Sequence, residues 1–183
     1  MFIQEMSESD CSKALATARL GRLACSHDNQ PYVVPIYFVY EEPYLYGFTT
    51  LGQKVEWMRS NPLVCVELGE IENSEEWTSI LIFGRYEELP DTPEGKQVRL
   101  HAHALLQEHG SWWEPGAASY LHRNRDLPLT PIFYRIHIDR ITGRRATPSP
   151  GGPVGARISP PARDSRRWLH VLFQALTRPF VSR

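Results

Sequence analysis

The chain has no run of roughly 18 apolar residues, which excludes a transmembrane helix on reading the sequence. Its opening, MFIQEMSESD, is acidic and lacks a basic-then-apolar stretch, so secretion is not expected. Cysteine is scarce. Cys11, Cys25 and Cys65 are an odd number, and none forms a C-x-x-C, so a reducing, cytoplasmic setting is expected. An excess of positive charge is also missing. Twenty Lys+Arg stand against 21 Asp+Glu, a net charge of -1, and no nucleic-acid partner is expected. There is no G-x-G-x-x-G, so no dedicated dinucleotide fingerprint is present.

What the chain does have is the composition of a globular domain, 42% hydrophobic and 22% charged over 183 residues. The near-zero net charge hides an asymmetry. Residues 1–143 carry 12 Lys+Arg and 20 Asp+Glu, a net of -8, while residues 144–183 carry 8 Arg and one acid, a net of +7. From Thr147 the sequence TPSPGGPVGARISPPARD has no hydrophobic period and cannot bury enough surface to offset its ordering entropy. We place a domain at 1–146 and a Pro/Gly/Arg-rich tail at 147–183. Near the end, Trp168, Leu169, Leu172, Phe173 and Leu176 form an apolar face at helical spacing beside Arg166, Arg167 and Arg178. Such a short helix is marginal alone. A frayed or loosely docked tail ranks first, docking on the acidic domain is the electrostatic alternative, and membrane contact ranks last.

Within the domain, Ser7 and Asp10 suit a capping box opening a short helix. Strands are expected at 22–26, at 32–40 (YVVPIYFVY) and at 44–49 (YLYGFT). Asp28–Asn29 reads as turn chemistry. Pro35 removes a ladder N–H and marks either a bulge or a point that faces no neighbouring strand. Leu51, Val55 and Met58 recur at helical spacing until Asn61–Pro62. LVCVEL is a fourth strand, Glu70–Glu76 a solvated hairpin tip, and WTSILIFGRYEEL a fifth strand that Gly84 bends or bulges. A helix is expected from Thr92–Pro93, running to about Gly110. A Trp-rich loop follows, then a last strand over IFYRIHIDRITGRR. About six antiparallel strands with short helices between them predict a mainly β fold, a barrel with flanking helices.

The junction FTTLGQKVEW concentrates the chemistry. Thr50 and Gln53 suit a capping box, Thr49 and Thr50 offer hydroxyls, Gly52 permits close approach, and Lys54 adds a charge at a helix start. Together they suit a phosphate cradle, although cap signals are common and the pattern by itself reads first as a plain helix cap with a solvated lysine.

LGRLACSHDNQPYVVPIYFVY, YLYGFTTLGQKVEWMRSNPLVCVEL, EWTSILIFGRYEEL and ITGRR, taken in order, resemble the pyridoxamine 5'-phosphate oxidase-like family of FMN-binding split barrels. The nitroimidazole-resistance-type flavin-nucleotide-binding branch is the most similar. The resemblance covers roughly residues 10–146. It implies a homodimer with two FMN molecules in clefts at the subunit interface, acting on a small-molecule substrate. By the same resemblance, Thr49, Thr50 and Lys54 hold the FMN phosphate. Val34, Pro35, Ile36 and Tyr37 lie along the isoalloxazine ring, where Tyr37 would narrow the pocket. Trp77, Thr78 and Ser79 sit near the same cleft. By the resemblance, true oxidases of the family carry several basic residues that grip a second phosphate and end in an arginine-containing strand that completes the site; no counterpart follows ITGRR, so vitamin B6 oxidation is not expected.

No catalytic acid or base can be named, because a flavin carries its own redox chemistry. Two functions follow: an oxidoreductase passing electrons from reduced nicotinamide to a small organic acceptor of nitro or quinone type, or a non-enzymatic flavin- or haem-binding sensor or carrier. His101, His103, His109 and His122 have spacings unsuited to one metal ion and read as surface residues. With haem in place of flavin, one of them would be an axial ligand. Cys25 and Cys65 read as inert core residues. Trp112 and Trp113 would either cover the flavin or anchor a loop.

Overall fold

The computed structural model describes residues 1–108 and 131–149. Eleven elements occur in these segments: β1 (Phe2–Met6), α1 (Glu8–Thr17), β2 (Leu20–His27), β3 (Gln30–Tyr37), β4 (Val39–Glu41), β5 (Tyr44–Thr49), α2 (Gln53–Ser60), β6 (Leu63–Asn73), β7 (Glu76–Leu89), α3 (Lys96–Glu108) and β8 (Ile132–Thr147). All eight strands join one antiparallel sheet in the order β3-β2-β6-β7-β8-β5-β4, with β1 paired to the far end of β8. The sheet does not close. β3 and β5 approach each other across a gap without pairing, which is the split of a split barrel.

The strand count is eight rather than six, for two reasons. FIQEM at the N-terminus is a strand, paired Phe2↔Thr147 to Met6↔Gly143. The expected strand at 32–40 breaks at Phe38, whose fully buried side chain enters the barrel core between β3 and β4. The hairpin of β6 and β7 is also tighter than expected. β6 continues through Glu70 and Glu72 to Asn73, and the turn is only Ser74–Glu75. Asn73 Oδ1 accepts from the Glu75 N–H at 2.8 Å, an Asx turn that the acidic composition obscured.

Local chemistry fixes several boundaries as the sequence suggested. Ser7 caps α1, its Oγ accepting from the Asp10 N–H at 3.1 Å and donating to Asp10 Oδ2 at 2.7 Å. Asp28 (φ 48°) and Asn29 (φ 61°) occupy the left-handed region that a two-residue hairpin turn requires. The register slips between Phe83 and Gly84, the bulge read from that glycine. A side chain at Gly84 would run into the His137 carbonyl oxygen. The expected helix at Thr92–Pro93 starts later, at Lys96. Thr92 Oγ1 instead accepts from the Gly95 N–H at 3.2 Å in a turn before it.

Pro35 causes no bulge. The two-residue turn makes His27↔Gln30 a hydrogen-bonded pair, and hydrogen-bonded pairs then alternate along the ladder. Arg22↔Pro35 is therefore a non-bonded pair, and the proline nitrogen faces the open side of an edge strand, where no partner needs its N–H.

Two cores follow. Leu23, Phe38, Leu45, Met58, Ile82 and Tyr134 belong to the barrel interior. Tyr37, Tyr46, Leu89, Leu106 and Phe133 form a smaller core with Ala102 of α3.

Candidate functional site

β5 ends at Thr49, and α2, only three residues on, packs against β2. Since β5 and β2 lie on opposite sides of the split, residues 50–52 carry the chain across it. The first turn of α2 is thus brought beside β2, with Lys54 next to Cys25.

The expected capping box does not form there. The N-cap residue is Gly52, not Thr50, and α2 has no side-chain cap. Thr49 Oγ1 donates to the Thr50 carbonyl at 3.3 Å instead of serving the helix. The first N–H groups of α2 therefore keep their unsatisfied donors and the positive end of the dipole. Gly52 is extended (φ 171°, ψ -179°), so no left-handed strain explains it. Its significance is room: a Cβ built there would meet nothing within 4 Å.

Lys54 stands in this first turn, half-buried, with no carboxylate beside it among the described residues. Burial pulls its ammonium from 10.5 down to about 8, opposed only by the neighbouring Cys25 thiol. Burial in turn pushes the Cys25 thiol up, consistent with an inert core cysteine. A desolvated cation, uncapped N–H groups and open space at Gly52 are the features an anion-holding site requires.

The C-terminal end of α2 is tied down. Arg59 forms a two-pronged pair with Glu88 of β7, at 2.7 and 2.8 Å. Asn61 Nδ2 donates to the Ser26 carbonyl at 3.2 Å, and His27 Nδ1 meets Ser60 Oγ at 2.9 Å. Trp57 packs against Tyr32 of β3 with ring centroids 5.4 Å apart.

The family model for pyridoxamine 5'-phosphate oxidase matches residues 7–145. The chain belongs to this family. A FAD-binding protein of Mesorhizobium loti is 44% identical, with a TM-score of 0.66, over 80% of this chain and 100% of that one. An uncharacterized protein of Rhizobium meliloti (strain 1021) is 40% identical over 80% of this chain and 97% of its own length. A putative 5-nitroimidazole antibiotic resistance protein of Bacteroides thetaiotaomicron shares the fold, at 17% identity and a TM-score of 0.55 over 79% of this chain and 89% of that one.

Against the family pattern, the site residues fall into three groups. Thr49, Thr50 and Lys54 come together at the start of α2. Val34–Tyr37 run along β3 at the split, but their side chains are largely spent. Ile36 is in the barrel core, Val34 packs on it, and Tyr37 is buried in the smaller core. What β3 offers a planar ligand is the exposed Pro35 and an open backbone edge, including the Val33 N–H and C=O and the Pro35 C=O. Trp77, Thr78 and Ser79 lie elsewhere. They begin β7, opposite Ala146, Arg145 and Arg144. Roughly 35 Å of strand separates Trp77 from Glu88, where α2 is anchored, at ~3.3 Å per residue.

A cavity of about 330 Å³, which no local sequence pattern signals, lies between the end of β7, α3 and the start of β8, with Leu51 in its wall. Leu51, Asp91, Arg99, Pro131 and Ile132 line it, residues from four separate stretches that only the fold assembles. His101 and His103 are exposed, as surface histidines should be, and His101 has partners there. Its Nε2 lies 2.5 Å from Glu41 Oε2 and its ring meets Tyr46 edge-on. His109, His122, Trp112 and Trp113 lie outside the described residues, as does the tail from residue 150. Among the described residues, no group of three His, Cys, Asp or Glu could hold a metal ion, and no helix is long and apolar enough to cross a membrane.

Proposed function

We propose that this protein is a flavin-nucleotide-binding oxidoreductase that works as a homodimer. The observation that carries the reading is the uncapped start of α2 with its half-buried Lys54, which has no carboxylate partner among the described residues. FMN, free or as the flavin half of FAD, brings a phosphate that would satisfy both. The FAD-binding relative at 44% identity supports a flavin ligand. The donor set fits the group: helix N–H groups and Lys54 for the phosphate, and the open edge of β3 for the polar rim of the ring.

The division of the expected site residues supports a dimer. Trp77–Ser79 and Lys54 sit far apart on one chain, so a shared cleft needs a second copy to bring them together. The outer face of the sheet suits that contact. Val33 (58% exposed) on β3, Leu63 (59%) on β6 and Leu81 (36%) on β7 lie on one face of the sheet with the half-buried Cys65 and Phe83, β2 running between β3 and β6. The open edge of β3 adjoins them.

When bound, the flavin supplies electron transfer, from reduced nicotinamide to a small organic acceptor of nitro or quinone type. This chain's residues do the rest. Lys54 and the α2 N–H groups fix the phosphate, β3 orients the ring edge, and the barrel core closes one side to water.

The test is the absorption spectrum of the full-length protein, followed by anaerobic addition of reduced nicotinamide. Flavin bands that bleach support the reading. Flavin bands that persist reduce the protein to a carrier or sensor, and a Soret band or a colourless protein overturns the flavin assignment.

A further inference from the structure

The cavity between the end of β7, α3 and the start of β8 is lined by four charged side chains, and two of them cancel. Arg59 and Glu88 are held together by two hydrogen bonds. Asp91 and Arg99 remain. Neither forms an ion pair with the other, or with any other charged side chain among the described residues. Two opposite charges thus line one concave site of about 330 Å³ without meeting. That volume falls at the lower end of the ~300–1,000 Å³ typical of small-molecule sites.

Local structure keeps the two apart. Arg99 ends the first turn of α3 and is half-buried. It donates through Nη1 to the Leu89 carbonyl at 3.3 Å, and its guanidinium lies over the Phe133 ring at 4.9 Å. Those contacts hold the guanidinium in place and leave further N–H donors and a full charge at the cavity wall. Asp91 is exposed, in the connection that leaves β7, and its carboxylate accepts no hydrogen bond from a described residue. The rest of the wall is largely apolar. Leu51 is 61% exposed, and Pro131 and Ile132 also line the site. A ligand that satisfies all of this carries a negative group, a positive group and an apolar body.

We infer that this cavity binds a single amino acid zwitterion with an apolar side chain, its carboxylate on Arg99, its ammonium on Asp91 and its side chain against Leu51, Pro131 and Ile132. A zwitterion neutralises both wall charges at once, whereas a simple anion or a simple cation leaves one of them unpaired. The small volume suits one amino acid rather than a peptide. Lys54 and the α2 N–H groups take no part in this site, so it stands apart from the flavin reading.

The experiment is isothermal titration of the purified full-length protein with three probes that share one branched carbon skeleton. They are leucine, isocaproate, which lacks the ammonium, and isoamylamine, which lacks the carboxylate. Leucine is expected to bind saturably, and each of the other two about tenfold or more weakly, the loss of one charge-assisted contact. Arg99→Gln should erase the advantage of leucine over isoamylamine, because the carboxylate has lost its partner. Asp91→Asn should erase its advantage over isocaproate and keep its advantage over isoamylamine. Asp91 is exposed and without a partner among the described residues, so this variant tests the site even if Arg99→Gln fails to fold. Leucine that does not bind saturably, equal affinities for the three probes, or an Asp91→Asn protein that still prefers leucine to isocaproate would overturn the inference. Each of those results leaves the flavin reading standing.

Discussion

Arg59 of α2 grips Glu88 near the end of β7 with both prongs of its guanidinium, Nε to Oε2 at 2.7 Å and Nη2 to Oε1 at 2.8 Å, and Tyr86 donates to the same carboxylate at 3.1 Å. The pair fixes the back of the helix whose front forms the candidate phosphate site. The Arg59 contact holds the Glu88 carboxyl below its ordinary range. That stabilisation is present above the unfolded carboxyl's range near 4.5 and fades as pH falls through the lower folded value. Glu88→Gln should lower Tm by less than about 5 °C at pH 7, since the pair is partly exposed. The difference from wild type should shrink below pH 4 in thermal melts.

Lys54 should cost the empty protein stability. Its folded value of about 8 lies below the ordinary 10.5, so the unfolded chain binds the proton more tightly. The penalty is fully present below pH 8 and is relieved as pH rises toward 10.5. Lys54→Met should therefore stabilise the cofactor-free protein by about 1–3 kcal/mol at pH 7. In urea melts the gap should narrow between pH 8 and 10. A Lys54→Met protein less stable than wild type at pH 7 would mean that the ammonium has a partner.

Gly84→Ala should be severe. The new methyl group would meet the His137 carbonyl oxygen and approach Ile136 Cγ2 at 2.9 Å, in the middle of the β7–β8 ladder where backbone cannot yield. A loss of about 2–4 kcal/mol is expected, measured by chemical denaturation.

Leu81→Asp tests the dimer. The side chain lies on the outer face of β7, 36% exposed in one chain, so the fold itself should tolerate the change. Light scattering should give twice the chain mass for wild type and the single mass for the variant, with flavin lost together with the dimer. A monomeric wild type that retains flavin would refute the shared site.

How much of this was legible depended on whether the signal was local. The Ser7 cap, the Asp28–Asn29 turn and the Gly84 bulge are each written in a few adjacent residues, and the structure has them. β1 was missed because FIQEM is short and its partner, β8, lies about 140 residues away. Phe38 interrupts an unbroken apolar run, and nothing in composition distinguishes a core plug from a strand residue. At the site, Lys54 two residues after Gly52 reads as a cradle, but the residue pattern points to Thr50 as the cap where the helix uses Gly52. The helix leaves its first donors uncapped, which suits an anion better than the expected box. The cavity at Leu51 and Arg99 was beyond sequence reading, because proximity there is made only by the sheet order.

The central claim is that a flavin's phosphate is held at the start of α2, and comparing riboflavin with FMN tests it most directly, since the two differ only in that phosphate. Titrated into cofactor-free protein at pH 7, FMN should bind about 100-fold or more tightly than riboflavin, in line with two charge-assisted contacts at about 1.5–3 kcal/mol each. The advantage should fall by about tenfold or more in Lys54→Ala, and in wild type it should decline above pH 8 as the lysine loses its proton. Equal affinities for riboflavin and FMN, or a preference for FMN that Lys54→Ala leaves unchanged, would contradict the account.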